Sequence, residues 1–269
     1  MALEQTLGFM GFGNMGRAIA GGLIETGVVS QRHIVVRDID PAKCEDAERL
    51  GVNVAASTEE LARQSNILVL AVKPQNMQEA LEEIKPGLAP DMLVISIAAG
   101  ISIGYLQERL GANVRVVRVM PNTPALVRAG AAGFALSANA TEADAKTARA
   151  VFEAVGIVEE VPEEAIDAVT ALSGSGPAYF FNMVEALVAA ASSQGIERSQ
   201  AARLAAQTLY GAGRLLVESG ESPATLRERV TSKGGTTEAA LAAFQEKGFA
   251  AVIAAGVAAA AARSKELGK

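Results

Sequence analysis

The chain has 269 residues, half of them hydrophobic, with a net charge of −6, 4% aromatic residues and no Trp. At about 150 residues per domain this is one large domain or nearly two, and the apolar content excludes a disordered chain. An acidic, ring-poor chain lacks the basic groove and stacking platforms of a single-strand nucleic-acid binder, so no nucleic-acid partner is expected. One Cys (Cys44) and one His (His33) narrow the chemistry further. A lone Cys forms no intrachain disulfide, which suits a reducing cytoplasm. A metal site is not expected, and a catalytic triad would have to run through His33 alone. The N-terminus has no basic start followed by an apolar stretch of the signal-peptide kind. The most apolar stretch, Gly248–Ala262, is shorter than the ~18 residues of a spanning helix. A buried or interface helix is expected there, and no membrane.

In chain order, five apolar runs read as strands: Thr6–Met10, His33–Arg37, Ile67–Val72, Leu93–Ile97 and Val114–Met120. Between them Arg17–Thr26, Pro41–Leu50, Glu59–Gln64, Gln75–Glu83 and Ile103–Leu110 carry helical spacing. Strands apolar along their whole length are covered on both faces, as in a parallel sheet between helix layers. The alternation predicts an α/β domain over residues 1–162. From Ala165 onward no convincing strand follows, and Ala-rich helical patterns take over. Ser175, Ser199 and Ser222 are candidate helix caps, and Gly195 and Gly220 candidate stops. Small side chains allow close approach, so these helices are expected to pack tightly on each other or on a second chain. The boundary is placed at Val161-Pro162-Glu163, giving a helical domain over 163–269.

Gly11-Phe12-Gly13-Asn14-Met15-Gly16 follows the first strand and opens the first helix. Gly11 can make the tight turn, Gly13 admits a pyrophosphate close to the backbone, Gly16 lets helix pack on strand, and the N–H groups of the helix start face the anion. In this context the motif points to dinucleotide binding. The second strand ends in Arg37-Asp38. Asp38, 22 residues after Gly16, could bind the ribose 2′-OH of NAD, or Arg37 could neutralise the 2′-phosphate of NADP. Asp38 could instead cap the helix or turn at Ile39-Asp40-Pro41. Ala71-Val72-Lys73-Pro74, Ala98-Ala99 and Met120-Pro121-Asn122 end later strands at the edge where open α/β sheets bind ligands, although Lys73 alone could be a solvated surface charge.

In the helical half, Thr231-Ser232-Lys233-Gly234-Gly235-Thr236-Thr237-Glu238 precedes a helix. Two glycines, several hydroxyls and a helix start make an anion site of carboxylate size, or an ordinary capping loop. The helical half offers no His as a general base for alcohol oxidation. Dehydrogenases of β-hydroxyacids with this two-domain plan place a Lys four residues after a helix Gly, and here that position, after Gly176, is Phe180. A cyclic imine can arrive already protonated, so imine reduction fits better.

With these segments assembled the chain resembles the pyrroline-5-carboxylate reductases over nearly its whole length. The resemblance rests on Gly11–Gly16, Ala71–Gln75, Met120–Pro124, Asp167–Tyr179 and Val230–Thr237. It implies an N-terminal Rossmann-type, mostly parallel sheet followed by a C-terminal all-helical dimerisation domain like that of 6-phosphogluconate dehydrogenase. It implies reduction of Δ1-pyrroline-5-carboxylate to L-proline by NADPH, with NADH possible. It implies active sites shared between chains of a homodimer that assembles further, into a decamer for example. Ser232, Gly235 and Thr236 would hold the substrate carboxylate, Thr237 would lie by the ring nitrogen as the catalytic group, and Glu163 near substrate and nicotinamide. Gly11, Gly13, Asn14, Met15, Gly16, Arg37, Asp38, Ala71, Val72, Lys73, Pro74, Ala98, Ala99 and Asn122 would hold the cofactor. At the ribose end Arg37-Asp38 departs from the Ser- or Asn-containing pattern frequent in the family. The alternatives are another imine or hydroxyacid reductase of this architecture, or a dinucleotide-sensing protein without turnover, which would not need the 231–237 loop.

Overall fold

In the computed structural model, which describes residues 3–268, eight strands form one sheet. The elements in chain order are β1 (Leu7–Met10), α1 (Asn14–Glu25), β2 (Ile34–Arg37), α2 (Pro41–Arg49), β3 (Asn53–Val54), α3 (Thr58–Gln64), β4 (Ile67–Leu70), α4 (Met77–Ile84), β5 (Leu93–Ser96), α5 (Ile103–Leu110), β6 (Arg115–Met120), β7 (Gly130–Leu136), α6 (Glu142–Glu153) and β8 (Gly156–Glu160). Then come α7 (Ile166–Val169), a π-turn over Thr170–Gly174, α8 (Gly176–Ser193), α9 (Arg198–Ser219), α10 (Pro223–Arg229), α11 (Thr236–Glu246) and α12 (Phe249–Leu267).

The sheet order is β3-β2-β1-β4-β5-β6-β7-β8, parallel throughout except where β6 meets β7. Side chains alternate across it. Leu7, Phe9, Ile34, Val36, Ile67 and Val69 pack on one face with α1 and α6 residues such as Ile19, Leu23 and Phe152. Met10, Val35, Leu68, Leu70 and Val94 pack on the other with Leu61, Leu81 and Leu106 of α3, α4 and α5. Both layers are filled, which is why the strands are apolar end to end. The order reverses at β1, which pairs with β2 on one side and β4 on the other. The carboxyl ends of β1 and β4 therefore open a crevice of the kind that binds ligands in such sheets.

The five expected strands are present within two residues at each end, except that His33 lies in a short 3-10 turn ahead of β2. Three strands were not expected: β3, two residues long, and β7 and β8. β7 reads Gly-Ala-Ala-Gly-Phe-Ala-Leu, without β-branched residues. Its glycines answer to packing, since a Cβ on Gly130 would stand 2.9 Å from the Val155 carbonyl oxygen and one on Gly133 2.8 Å from Val169.

The described residues divide into two compact units. One runs to Ser175 and takes in the residues from Ala260 onward; the other is Gly176–Ala259. The 162/163 boundary marks where strands give way to helices. The compact units divide later because α7 and the π-turn pack on the sheet unit: Val169 lies against Gly133, and a Cβ on Gly174 would meet Met120 at 2.7 Å. The C-terminal end of α12 belongs there too, where the Ser264 hydroxyl donates to Asp167 at 2.6 Å.

In the second unit the caps fall partly where expected. Ser222 caps α10 by accepting from Thr225 N–H (3.1 Å), and Gly220 ends α9 in the left-handed region with φ 65°. Ser199 is not the cap of α9. Glu197 accepts from Gln200 N–H at 3.0 Å and also takes the Ser199 hydroxyl, and these donors hold its carboxyl below the usual range. Ser175 is not a cap either, because its backbone is already helical as the chain leaves the π-turn. Phe181, Leu204, Tyr210, Val217 and Val252 are exposed on this unit, an apolar surface far richer than scattered single residues on a monomer. No single helix among the described residues is long and apolar enough to cross a membrane; α11 and α12 together meet such a test only as a pair bent by 56°.

Candidate active site

In the sheet unit the Gly-rich turn is built by its neighbours. Gly11 has φ +96°, a conformation that favours Gly, and a Cβ there would stand 2.8 Å from the Ala71 carbonyl carbon and oxygen. Thus the loops after β1 and β4 abut at the point where the strand order reverses. Gly11 N–H donates to the Arg37 carbonyl (2.8 Å) and Phe12 N–H to Asp38 Oδ2 (2.6 Å). Gly16 sits under the turn, where a Cβ would be 2.6 Å from the Gly11 oxygen. Gly13 differs, since a Cβ there would meet nothing within 4 Å. It is the N-cap of α1 and supplies no side-chain cap. The first N–H groups of α1, beginning at Asn14, therefore have no side-chain cap and start beside the open space at Gly13, with the positive end of the helix dipole behind them. That arrangement accepts a pyrophosphate.

Around this turn Lys73 is exposed just after β4, followed by Pro74, which starts a short 3-10 turn. Ala71 and Val72 are half-buried, Ala98 is buried with its N–H 3.4 Å from Ser96 Oγ, and Ala99 is half-buried. The Arg37 guanidinium makes no hydrogen bond or ion pair among the described residues, which leaves it available at the carboxyl end of β2. His33 lies at the amino end of β2, away from the carboxyl edge.

Two expected ligand residues are committed to the protein. Asn122 is buried; its Nδ2 donates to the Ser173 carbonyl (3.0 Å) and its Oδ1 accepts from Ala131 N–H (2.9 Å). The π-turn explains the first bond. Ser175 N–H donates to the Thr170 carbonyl at 2.8 Å, five residues back, which shifts the helical ladder out of register, and Asn122 pairs with one of the turn's carbonyls. The expected result of Asn122→Ala is a loss of about 2 kcal/mol of stability, from two backbone groups left without their partners. A denaturant midpoint lowered at unchanged slope would show it.

Glu163 is the second. Its Oε1 accepts from Ile103 N–H at the start of α5 (2.7 Å) and from Arg118 Nη1 (3.2 Å). Arg118 is a buried cation in the middle of β6, flanked by valines, and did not figure among the expected site residues. A charge within a strand covered on both faces needs a partner, and that is the signal by which it could have been found.

In the second unit, Gly234 (φ 72°) and Gly235 turn the chain into α11. Gly234 N–H donates to Glu238 Oε2 (2.7 Å) and Gly235 N–H to the Ser232 carbonyl (3.0 Å), while Thr231 Oγ1 back-bonds to Arg227 (2.7 Å). Gly235 is the N-cap and caps nothing with a side chain, so the N–H groups of Thr236 and Thr237 stay open. A Cβ at Gly235 would fall 2.4 Å from Ser232 Oγ. Glycine here keeps the serine hydroxyl beside the open helix start. The hydroxyls of Ser232, Thr236 and Thr237 make no hydrogen bond among the described residues. Two N–H groups and three free hydroxyls at one helix start match a carboxylate and one further polar atom.

Residues 163–267 match the family described as pyrroline-5-carboxylate reductase dimerisation, and residues 6–100 match the family described as NADP oxidoreductase, coenzyme F420-dependent. A pyrroline-5-carboxylate reductase of Methanosarcina acetivorans is 42% identical over 267 residues, spanning 99% of each chain. The chain belongs to the pyrroline-5-carboxylate reductase family. Among solved structures, the pyrroline-5-carboxylate reductase of Coxiella burnetii superposes with a TM-score of 0.94 at 37% identity over 99% of this chain and all of that one. The pyrroline carboxylate reductase of Plasmodium falciparum, crystallised with NADP bound, gives 0.86 at 33% identity over all of both chains. The family has the architecture seen here, a Rossmann-type sheet followed by a helical dimerisation region. The match to the dimerisation family indicates homo-oligomerisation, and the exposed apolar side chains of the second unit lie within the matched segment.

Proposed function

We propose that the chain reduces Δ1-pyrroline-5-carboxylate to L-proline with a nicotinamide cofactor. Its sheet domain (1–162) takes the dinucleotide and its helical domain (163–269) takes the substrate and the dimer partner. The observation that carries this reading is the full-length kinship of a chain that keeps both an uncapped Gly-rich helix start and an uncapped 232–237 helix start. The first suits a pyrophosphate, with Gly11, Gly13, Asn14, Met15 and Gly16 around it. Ala71, Val72, Lys73, Pro74, Ala98 and Ala99 line the adjoining loops. The second suits the substrate carboxylate, held by Ser232, Gly235 and the Thr236 N–H and hydroxyl.

When bound, the reduced nicotinamide supplies the hydride that adds to C5. The substrate enters as the protonated imine, so the C=N π electrons pass to nitrogen and the product is the neutral secondary amine, with no acid required from the protein. This explains how a chain with one His and one Cys can run the reaction. The protein's part is orientation and hydrogen bonding. The 232–237 loop fixes the ring by its carboxylate, and the Thr237 hydroxyl bonds the ring nitrogen as its charge is lost. Orientation of this kind removes several kcal/mol of barrier.

NADPH is the proposed cofactor, because Arg37 ends β2 with a free guanidinium suited to a 2′-phosphate. The working form is proposed to be a cytoplasmic homodimer assembled further, as in a decamer. The test is a steady-state comparison of NADPH and NADH with pyrroline-5-carboxylate, for the wild type and Arg37→Ala. We expect the wild type to favour NADPH, and the substitution to raise KM for NADPH about tenfold, the size of one charged hydrogen bond, with NADH little affected. Equal effects on the two cofactors would sink the assignment of Arg37, and no oxidation of either would sink the reaction.

A further inference from the structure

The acid that follows the second strand of a dinucleotide-binding sheet is ordinarily read as the ribose ligand. In this chain it faces the other way. Asp38 Oδ2 accepts from Phe12 N–H at 2.6 Å, and Asp38 Oδ1 accepts from Asp40 N–H at 2.9 Å. One oxygen is thus bonded to the Gly-rich turn after β1 and the other to the entrance of α2. Asp40, not Asp38, caps that helix by accepting from Ala42 N–H at 3.0 Å. The Asp38 carbonyl is engaged as well, 3.5 Å from Cys44 Sγ.

The bond to Phe12 has a consequence for the pyrophosphate site. The Phe12 side chain is completely buried in the core, and the Gly11 and Phe12 N–H groups are both drawn to the end of β2. With these two donors turned away, the groups left for an anion are those at the head of α1. A carboxylate accepting a backbone N–H makes a charge-assisted bond stronger than a neutral one. Asp38 therefore fixes the orientation of the Gly11–Phe12 peptide, one residue ahead of Gly13, the residue beside open space.

We propose that Asp38 is a positioning residue, which acts on the cofactor through the Phe12 N–H by setting the pyrophosphate turn, and that it does not read the ribose. Choice between phosphorylated and unphosphorylated dinucleotides then rests with its neighbour Arg37. This inference rests on the reading of the Gly-rich turn as a dinucleotide site, and it separates two adjacent residues that the sequence leaves as rivals for one role.

The experiment is calorimetric measurement of Kd for NADPH and for NADH with the wild type, Asp38→Ala and Asp38→Asn, followed by kcat and cofactor KM with pyrroline-5-carboxylate. For Asp38→Ala we expect Kd and KM to rise by the same factor for both cofactors, about tenfold for the loss of a charged hydrogen bond. The effect should fall on KM rather than on kcat at saturating cofactor. Asp38→Asn keeps one acceptor oxygen and should fall between the two. A residue serving only global stability would lower the melting temperature of the apo protein without moving Kd, and that result would overturn the proposal. So would a selective loss of NADH binding with NADPH spared, the signature of a ribose ligand. If Asp38→Ala does not fold, Asp38→Asn alone decides by the same two criteria. A wild type that binds both cofactors but turns neither over would count against the proposed reaction and leave the Kd comparison standing.

Discussion

Thr237→Ala is expected to lower kcat about a hundredfold, the size of loss that follows when a reacting group is left about 1 Å out of place, while Kd for the cofactor stays close to the wild-type value. Thr237 is the second residue of α11 and half-buried. Elsewhere in the chain, threonine and serine hydroxyls within helices bond back four residues, as Thr170 does to Ile166 at 2.8 Å and Ser173 to Val169 at 3.0 Å. In the first turn no helical carbonyl lies four residues back, and the Thr237 hydroxyl is left without a partner among the described residues. It can accept from the iminium N–H of the substrate and then donate to the amine lone pair that forms as the hydride adds. By holding the ring nitrogen it aims C5 at the cofactor, so its share in kcat is orientation. Thr237→Ser keeps the hydroxyl and is expected to recover most of the rate. Stopped-flow single turnovers with saturating cofactor separate the chemical step from binding. An unchanged single-turnover rate in Thr237→Ala would remove Thr237 from the mechanism.

The same comparison of side-chain commitments explains what could be read from the sequence. β1, β2, β4, β5 and β6 are runs of Val, Ile, Leu and Met because both their faces are covered, and that composition is visible without coordinates. β7 was hidden because close approach of Val155 and Val169 selects Gly at 130 and 133, where strand formers would clash. The Gly-rich turn and the 231–238 loop were legible because the role proposed for them rests on backbone N–H groups, which glycine spacing and a helix start reveal directly. Asp38 and Asn122 were placed at the carboxyl edge of the sheet, and Glu163 at the start of the helical domain, but sequence position says nothing of where a side chain points. Each of the three turns to a backbone N–H or carbonyl of its own unit. The π-turn was equally hidden, since Thr170–Gly174 has the same composition as an α-helix and differs only in its five-residue hydrogen bond.

Gly16→Ala is expected to raise Kd for NADPH by a hundredfold or more and to cost about 1–3 kcal/mol of apo stability, the range for overpacking a filled site. The added methyl would stand 2.6 Å from the Gly11 carbonyl oxygen, a backbone atom that cannot rotate aside. Gly11 has nowhere to retreat, because it is wedged 2.8 Å from the Ala71 backbone, measured from its own Cβ position, and tied to Arg37 through its N–H. The strain must then move the turn itself, and with it the N–H groups that face the pyrophosphate. Gly21→Ala is the control on the same helix, since a Cβ there meets nothing within 4 Å. That substitution should stabilise the protein by about 0.5–1 kcal/mol through helix propensity. Melting with and without cofactor reads both effects. At a concentration of one hundred times the wild-type Kd, NADPH contributes about 2.7 kcal/mol to the wild type and Gly21→Ala, and about 0.4 kcal/mol to a variant with hundredfold weaker binding. A Gly16→Ala protein that melts early but keeps its full cofactor-induced shift would mean that Gly16 serves helix packing alone, and that the turn above it holds the anion without its help.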